Sequence, residues 1–200
     1  AAFVHCTASG EEAQSSRWFP KGRARVIPNL IDLSPYQSLP GPQEARDAFE
    51  QFSGEGPVLL FLSRLHEKKG IEHLIEALPG LREHHPGIQV LLAGTGDDSY
   101  LAGLMRQARA LGVEQCVHAL GHVGGSLKLS LYQAADCFVL PSSQENFGFV
   151  QFEALACATP VITTRLVDTW REVEASGGGL AVEQSASALS EALISLLQDA

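Results

Sequence analysis

The stretch Asp136-Cys137-Phe138-Val139-Leu140, followed by Pro141-Ser142-Ser143-Gln144-Glu145-Asn146-Phe147-Gly148 and then by Phe149–Ala156, decides the fold. A short apolar run closed by a proline reads as a strand buried on both faces, not as one with a wet side. A polar loop comes next, and then a segment of helical length. The same unit recurs on both sides. Upstream lie the apolar runs Val58–Leu62 and Val90–Ala93 and a weaker one at Cys116–Leu120, and downstream lies Pro160–Thr163. Between and around them, helices are predicted over Glu44–Phe52, Ile71–Leu78, Tyr100–Leu111, Leu127–Ala134 and Ala186–Leu197. Pro79 is expected to end or kink the second of these, because proline removes a helix hydrogen bond.

Buried strands joined through helices imply right-handed crossovers and hence parallel pairing. The expected fold is therefore α/β: an open parallel sheet of about six strands with helices on both faces. Ligands of such sheets bind beyond the carboxyl ends of the strands. That rule selects the loops after Leu62, Ala93, Leu120, Leu140 and Thr163. The first thirty-odd residues differ. A short strand over Ala2–His5, a helix over Ala8–Ser16 capped by Ser9, and a strand Arg25–Asn29 stopped by Pro28 precede a Pro- and Ser-rich linker, Ile31–Gly41. The chain opens inside an element, as a piece of a longer protein would.

Composition sets the outer limits. Hydrophobic residues make up 45% and charged residues 18%, which suits a globular chain and excludes a disordered one. The net charge of −9 gives no support to a nucleic-acid or acidic-membrane partner. An anionic ligand would need local cations and backbone amides, since distant charges are screened beyond about 8 Å. Cys6, Cys116, Cys137 and Cys157 have no metal-ligand spacing and sit among apolar or small residues, so they read as buried, reduced thiols. No metal cluster is expected. No apolar run approaches the ~18 residues of a membrane span, and no signal peptide is visible, so a cytoplasmic location is expected.

The loops carry different weights. In Ser63-Arg64-Leu65-His66-Glu67-Lys68-Lys69-Gly70, Arg64 and Lys69 flank a loop that opens a helix, so a guanidinium fork, an ammonium and free amides could meet one diphosphate; an ordinary solvated loop is the alternative. Gly94-Thr95-Gly96-Asp97-Asp98 is a weak match to a dinucleotide fingerprint, because Ser99 stands where the third glycine belongs; it is equally a plain turn with an acidic cap. Gly121-His122-Val123-Gly124 allows close backbone approach, or is simply a turn. After Leu140, Glu145 lies in the loop and Glu153 one to two turns into the helix, beyond the amides at Phe147–Phe149. Two carboxylates there suit sugar hydroxyls, which donate to carboxylate oxygens, or the acid/base pair of a hydrolase, or ordinary helix charges. Glu153, however, sits among Phe152, Ala154, Leu155 and Ala156, an apolar setting for a solvated carboxylate. Trp170 is either a wall of the ligand site or a packing residue.

Taken in order, these pieces resemble the C-terminal, Rossmann-like half of GT-B-fold glycosyltransferases, specifically the large retaining family 4. The matching segments are Ile27-Pro28-Asn29-Leu30-Ile31-Asp32, Ser63-Arg64-Leu65 with Lys69-Gly70, Gly94-Thr95-Gly96 and Gly121-His122-Val123. They continue with Ala135–Ser142, Glu145-Asn146-Phe147-Gly148-Phe149, and Glu153–Cys157 leading to Pro160-Val161-Ile162. The likeness spans residues 26–197, and its specific part is the Glu-x7-Glu segment with Phe-Gly inside it.

The resemblance implies roles. Arg64 and Lys69 would hold the diphosphate of a UDP-, GDP- or ADP-linked sugar and stabilise it as leaving group. Glu145 would contact the donor sugar near its anomeric carbon. Glu153 would bind the ribose, and Gly121, His122 and Val123 would border the base. Asn146 and the amides of Phe147, Gly148 and Phe149 would surround sugar and phosphate. Transfer of a hexose to a glycan, lipid or polysaccharide, without a cofactor or metal, is implied. Residues 1–33 would be the remnant of an acceptor-binding domain plus linker, and 34–200 the donor domain. The piece alone would bind donor without efficient transfer, and the full-length protein could touch a membrane peripherally. Two departures stand out: Ala158 where the family often has glycine, a change expected to alter the turn little, and Val167-Asp168-Thr169-Trp170 in place of a glycine pair. A nucleotide-sugar epimerase of related fold and a non-catalytic nucleotide-binding module are the alternatives.

Overall fold

The computed structural model describes residues 3–7, 9–18 and 23–198. Ala2 and Ala8, the first residues of two expected elements, lie outside them. Two strands, β1 (Phe3–Cys6) and β2 (Arg23–Val26), pair in parallel around helix α1 (Ser9–Trp18). The main body begins with α2 (Gln43–Ala48). It continues as β3 (Val58–Leu62), α3 (Ile71–His84), β4 (Gln89–Ala93), α4 (Asp98–Ala110), β5 (Val117–Gly121) and α5 (Gly125–Ala134). It closes with β6 (Cys137–Leu140), α6 (Phe149–Ala156), β7 (Val161–Thr164), α7 (Trp170–Ala175), β8 (Gly179–Val182) and α8 (Ala186–Gln198).

The six strands β3–β8 form one parallel sheet in the order β5-β4-β3-β6-β7-β8. Every residue of β6 and β7 is buried, as are Val58–Phe61 and Val90–Ala93, which is why these strands read as unbroken apolar runs. Right-handed crossovers put α3 and α4 on one face and α5, α6 and α7 on the other. Packing of α8 on α3, and of α2 on α5, completes the two layers. The strand order reverses between β3 and β6. Their following loops therefore diverge to opposite faces and leave a crevice between them.

Three expectations change. Pro79 does not stop α3, which runs on to His84; Leu78 and Leu81 are fully buried on either side of the proline, and their burial outweighs the lost hydrogen bond. The helix expected over Glu44–Phe52 is split: Phe49 is extended, and a 3-10 turn follows at Glu50–Ser53. The sixth strand of the sheet is Gly179–Val182, a segment for which the sequence predicts no strand. A side chain at Gly179 would meet the Val161 carbonyl at 2.6 Å, so glycine lets β8 close on β7. The strand expected around Arg25, in the N-terminal segment set apart from the sheet, is β2 and pairs with β1.

Candidate functional site

The loops after β3, β4, β5 and β6 lock into one another at the carboxyl edge of the sheet. Gly94 has φ +138°, and a side chain there would fall 1.9 Å from the Ser63 carbonyl oxygen; one at Gly96 would fall 2.0 Å from that of Leu65. The Leu65 amide donates to the Thr95 carbonyl at 2.9 Å. The two glycines thus serve the close packing of two backbones, which explains the Gly-Thr-Gly without a dinucleotide. Asp97 is the cap of α4, accepting from the Ser99 hydroxyl and from the Ser99 amide at 2.7 Å, and these bonds, the hydroxyl's first, hold its carboxyl below the usual value. Gly70, at φ +63°, faces the Pro141 carbonyl, while Ser143 donates to the Lys68 carbonyl through both its amide (2.8 Å) and its hydroxyl (3.1 Å). These bonds tie the β3 loop to the β6 loop across the switch point. His66 serves locally, its Nδ1 accepting from the Lys68 amide at 3.1 Å.

A cleft of about 490 Å³ opens above β3, β4 and β5. Arg64, His122, Val123, Lys128, Val150 and Glu153 line it, together with the Gly94 and Gly124–Gly125 backbone. Arg64 is exposed on its wall; Val123 is buried. Gly121 lies beneath, in the left-handed conformation, its carbonyl accepting from the Gly94 amide at 2.7 Å. Two helices begin beside the cleft, α5 after Gly124 and α6 after Gly148, and neither start is capped by a side chain. Their amides supply a positive potential to an anion.

Lys69 and Glu145 stand together rather than on this wall: the ammonium is paired with the carboxylate. So Arg64 faces the cleft while Lys69 is neutralised next to it. The Glu145 backbone is braced from β7's loop, its carbonyl accepting from the Asp168 amide at 2.9 Å. Thr169 donates to the Phe147 carbonyl at 2.6 Å, and buried Gln151 donates to Thr169 at 2.6 Å. Val167–Thr169, the segment that departs from the glycine pair, thus holds the Glu145–Gly148 loop in place. Phe147 is buried against Phe149 and Phe152, with ring centroids 4.7 and 5.2 Å away. Asn146 donates to Glu11 of α1, which also receives the Thr7 amide and hydroxyl. Trp170 lies against Arg171 at 4.4 Å and Arg165 at 5.8 Å, a cation–π stack outside the cleft lining.

Glu153 has partners that the sequence reading missed. Both its oxygens accept from Lys128 at 3.0 Å, and Oε2 also accepts from the Tyr132 hydroxyl at 3.1 Å. Lys128 and Tyr132 are four residues apart on α5, a spacing that places them on one helix face; which helix that face meets is not written in the spacing. Tyr36, within the linker, faces the same carboxylate from an adjoining hollow of about 440 Å³; burial first, and then the Glu153 charge, push its hydroxyl up to about 12.

The fold recurs in solved proteins. Sucrose-phosphate synthase from Thermosynechococcus elongatus superposes on the whole chain with a TM-score of 0.81 at 30% identity, over 50% of its own length. Anabaena Alr3699/HepE in complex with UDP-glucose does so with a TM-score of 0.82 at 25% identity, over 55% of its length. The sheet order and its flanking helices define the Rossmann-like domain of GT-B glycosyltransferases. Among curated proteins, the phosphatidyl-myo-inositol mannosyltransferase of Mycobacterium leprae is 33% identical over 180 residues, covering 86% of this chain and 44% of that protein. Residues 42–200 match the family model described as glycosyl transferases group 1, and the chain belongs to that family. It spans about half the length of these relatives. Among the described residues, no helix is long and apolar enough to cross a membrane, and no three metal-ligating side chains gather.

Proposed function

We propose that this chain is the donor-binding half of a retaining glycosyltransferase of family 4 type, taking a hexose from a nucleoside diphosphate sugar. The observation that carries the reading is the placement of Arg64 and Glu153 on one cleft beside two uncapped helix starts. A diphosphate fits the guanidinium and the amides; ribose hydroxyls fit the carboxylate; a base fits the backbone at Gly121–Val123. The complex of Alr3699/HepE with UDP-glucose, in a neighbour of the same fold, supports this assignment. Lys69 joins Arg64 on the phosphates once ligand draws it from Glu145, and Glu145 turns to the sugar hydroxyls, with Asn146 and the Phe147–Phe149 backbone around them.

Catalysis then rests on charge stabilisation of the departing nucleoside diphosphate by Arg64 and Lys69, with the leaving phosphate assisting attack on the same face of the sugar. No resident metal is part of this reading. The acceptor, a glycan, lipid or polysaccharide, is held by a further domain of the whole protein, which works on the cytoplasmic side with peripheral membrane contact. Residues 1–33 are the end of that domain and its linker. Thermal denaturation of this chain with UDP, GDP, ADP and NAD tests the donor assignment. One nucleoside diphosphate at a hundredfold excess over its Kd stabilises the domain by about 2.7 kcal/mol, equally with magnesium or with EDTA, and NAD does not. Product anomer analysis with the full-length protein tests retention.

A further inference from the structure

Glu153 is held by three hydrogen bonds from two side chains before any ligand arrives. Lys128 Nζ donates to both of its oxygens at 3.0 Å, and the Tyr132 hydroxyl donates to Oε2 at 3.1 Å. Tyr132 cannot shift: it is fully buried, its ring packs edge-on against Phe138 at 5.6 Å, and its carbonyl accepts from the Thr159 hydroxyl at 2.7 Å. Burial, and then the neighbouring Glu153 charge, raise its phenol well above the usual range, so it remains a donor. Lys128 is different. It comes from the α5 turn that lines the cleft, its side chain is 27% exposed, and it reaches both the cleft and the adjoining hollow. Its ammonium is engaged with Glu153 through both oxygens and is thereby drawn away from service as a free phosphate cation.

A glutamate side chain on a helix flank has several rotamers, and a site that reads hydroxyls needs one of them held. We propose that Lys128 is the positioning residue of the donor site: its ammonium, bonded to both oxygens, holds the Glu153 carboxylate turned so that the nucleotide's ribose hydroxyls can donate to it. Lys128 thus sets ribose recognition by acting through Glu153. The inference rests on the reading that Glu153 faces the ribose.

The test is calorimetric titration of the whole chain with whichever of UDP, GDP and ADP binds best, and with its 2′,3′-dideoxy counterpart. The readout is the ratio of the two affinities, which a general loss of fold or of phosphate attraction does not move. In the unaltered protein the ribonucleotide binds about tenfold or more tightly than the dideoxy form, as hydrogen bonds to a charged acceptor imply. Glu153→Gln and Lys128→Met both bring the ratio to within about twofold, and Lys128→Arg, which keeps a charged donor, restores most of it. If Lys128→Met weakens both ligands alike and leaves the ratio intact, the lysine acts on the phosphates and the proposal is overturned. If Glu153→Gln keeps the full ratio, the ribose reading of Glu153 fails and the proposal falls with it. If no nucleoside diphosphate binds, the wider donor assignment is what fails.

Discussion

Lys69 and Glu145 form an ion pair across the switch point of the sheet, the lysine ending the loop after β3 and the glutamate lying in the loop after β6. Both side chains are largely withdrawn from solvent, at 13% and 24% exposure. A cation held this way is stored beside the cleft, and its attraction for a phosphate is opposed by its present partner. Glu145→Gln should therefore strengthen nucleoside diphosphate binding by about threefold, the scale of a modest ion pair, while weakening the preference for the sugar-linked form. Lys69→Ala should weaken nucleoside diphosphate binding by about tenfold or more. Calorimetric titration of the two variants checks both directions. Unchanged affinity in Lys69→Ala would remove the lysine from the phosphate site.

Ala158 carries φ +61°, the only non-glycine residue with positive φ among those described. It follows the last residues of α6, with the Ala158 amide on the Leu155 carbonyl and the Thr159 amide on the Ala154 carbonyl, both at 3.0 Å. That is the helix-ending motif whose left-handed position favours glycine. Ala158→Gly relieves about 1–2 kcal/mol of steric cost against about 0.4–1 kcal/mol of added chain entropy. The melting temperature should rise by about 1–3 °C. The sequence comparison had suggested that this change alters the turn little; a fall in melting temperature would show that the alanine is tolerated without strain.

Asp168 has its carboxyl raised above the ordinary 3.8, by burial first and by the Glu11 charge second. Its folded form therefore holds a proton more tightly than its unfolded form. As pH falls through the raised folded value, this group adds stability, and the gain is complete below 3.8, where both forms are protonated. Asp168→Asn removes the cost at neutral pH. Urea denaturation should find the variant more stable than the parent at pH 7, with the difference shrinking by pH 4. A constant difference would contradict the burial account.

The four cysteines are free and buried, and burial pushes the Cys137 thiol up to about 12 and that of Cys157 to about 11. Thiolate, the reactive form, is scarce in both at pH 8. Iodoacetamide at that pH should leave both residues unmodified in the folded chain, and mass spectrometry should find them alkylated once urea unfolds it. Rapid alkylation of Cys157 without denaturant would mean that the turn after α6 opens.

Much of this was legible from residue order. Val58–Leu62 and Phe149–Ala156 were assigned with the bounds observed, because an unbroken apolar run and a segment of helical length after a polar loop are local facts. Gly179–Val182 was hidden by its glycines, although Leu180-Ala181-Val182 was an apolar cue; the reason for Gly179 is the Val161 backbone beside it, a contact across the sheet. Pro79 misled because local hydrogen-bond loss yields to burial on both sides. The Glu-x7-Glu spacing marked the candidate site, but Lys128 and Tyr132 act on Glu153 from another helix, and the pairing of Lys69 with Glu145 joins two loops far apart in sequence.

The central claim is that Arg64 and Glu153 face one nucleoside diphosphate. Titrating UDP, GDP and ADP into the unaltered chain and into Arg64→Ala tests it most directly. The account predicts that one of the three binds the unaltered chain, and that Arg64→Ala weakens it by about tenfold or more, the scale of a lost charge-assisted bond. Equal affinity in the two proteins, or no binding of any of the three to the unaltered chain, would contradict it.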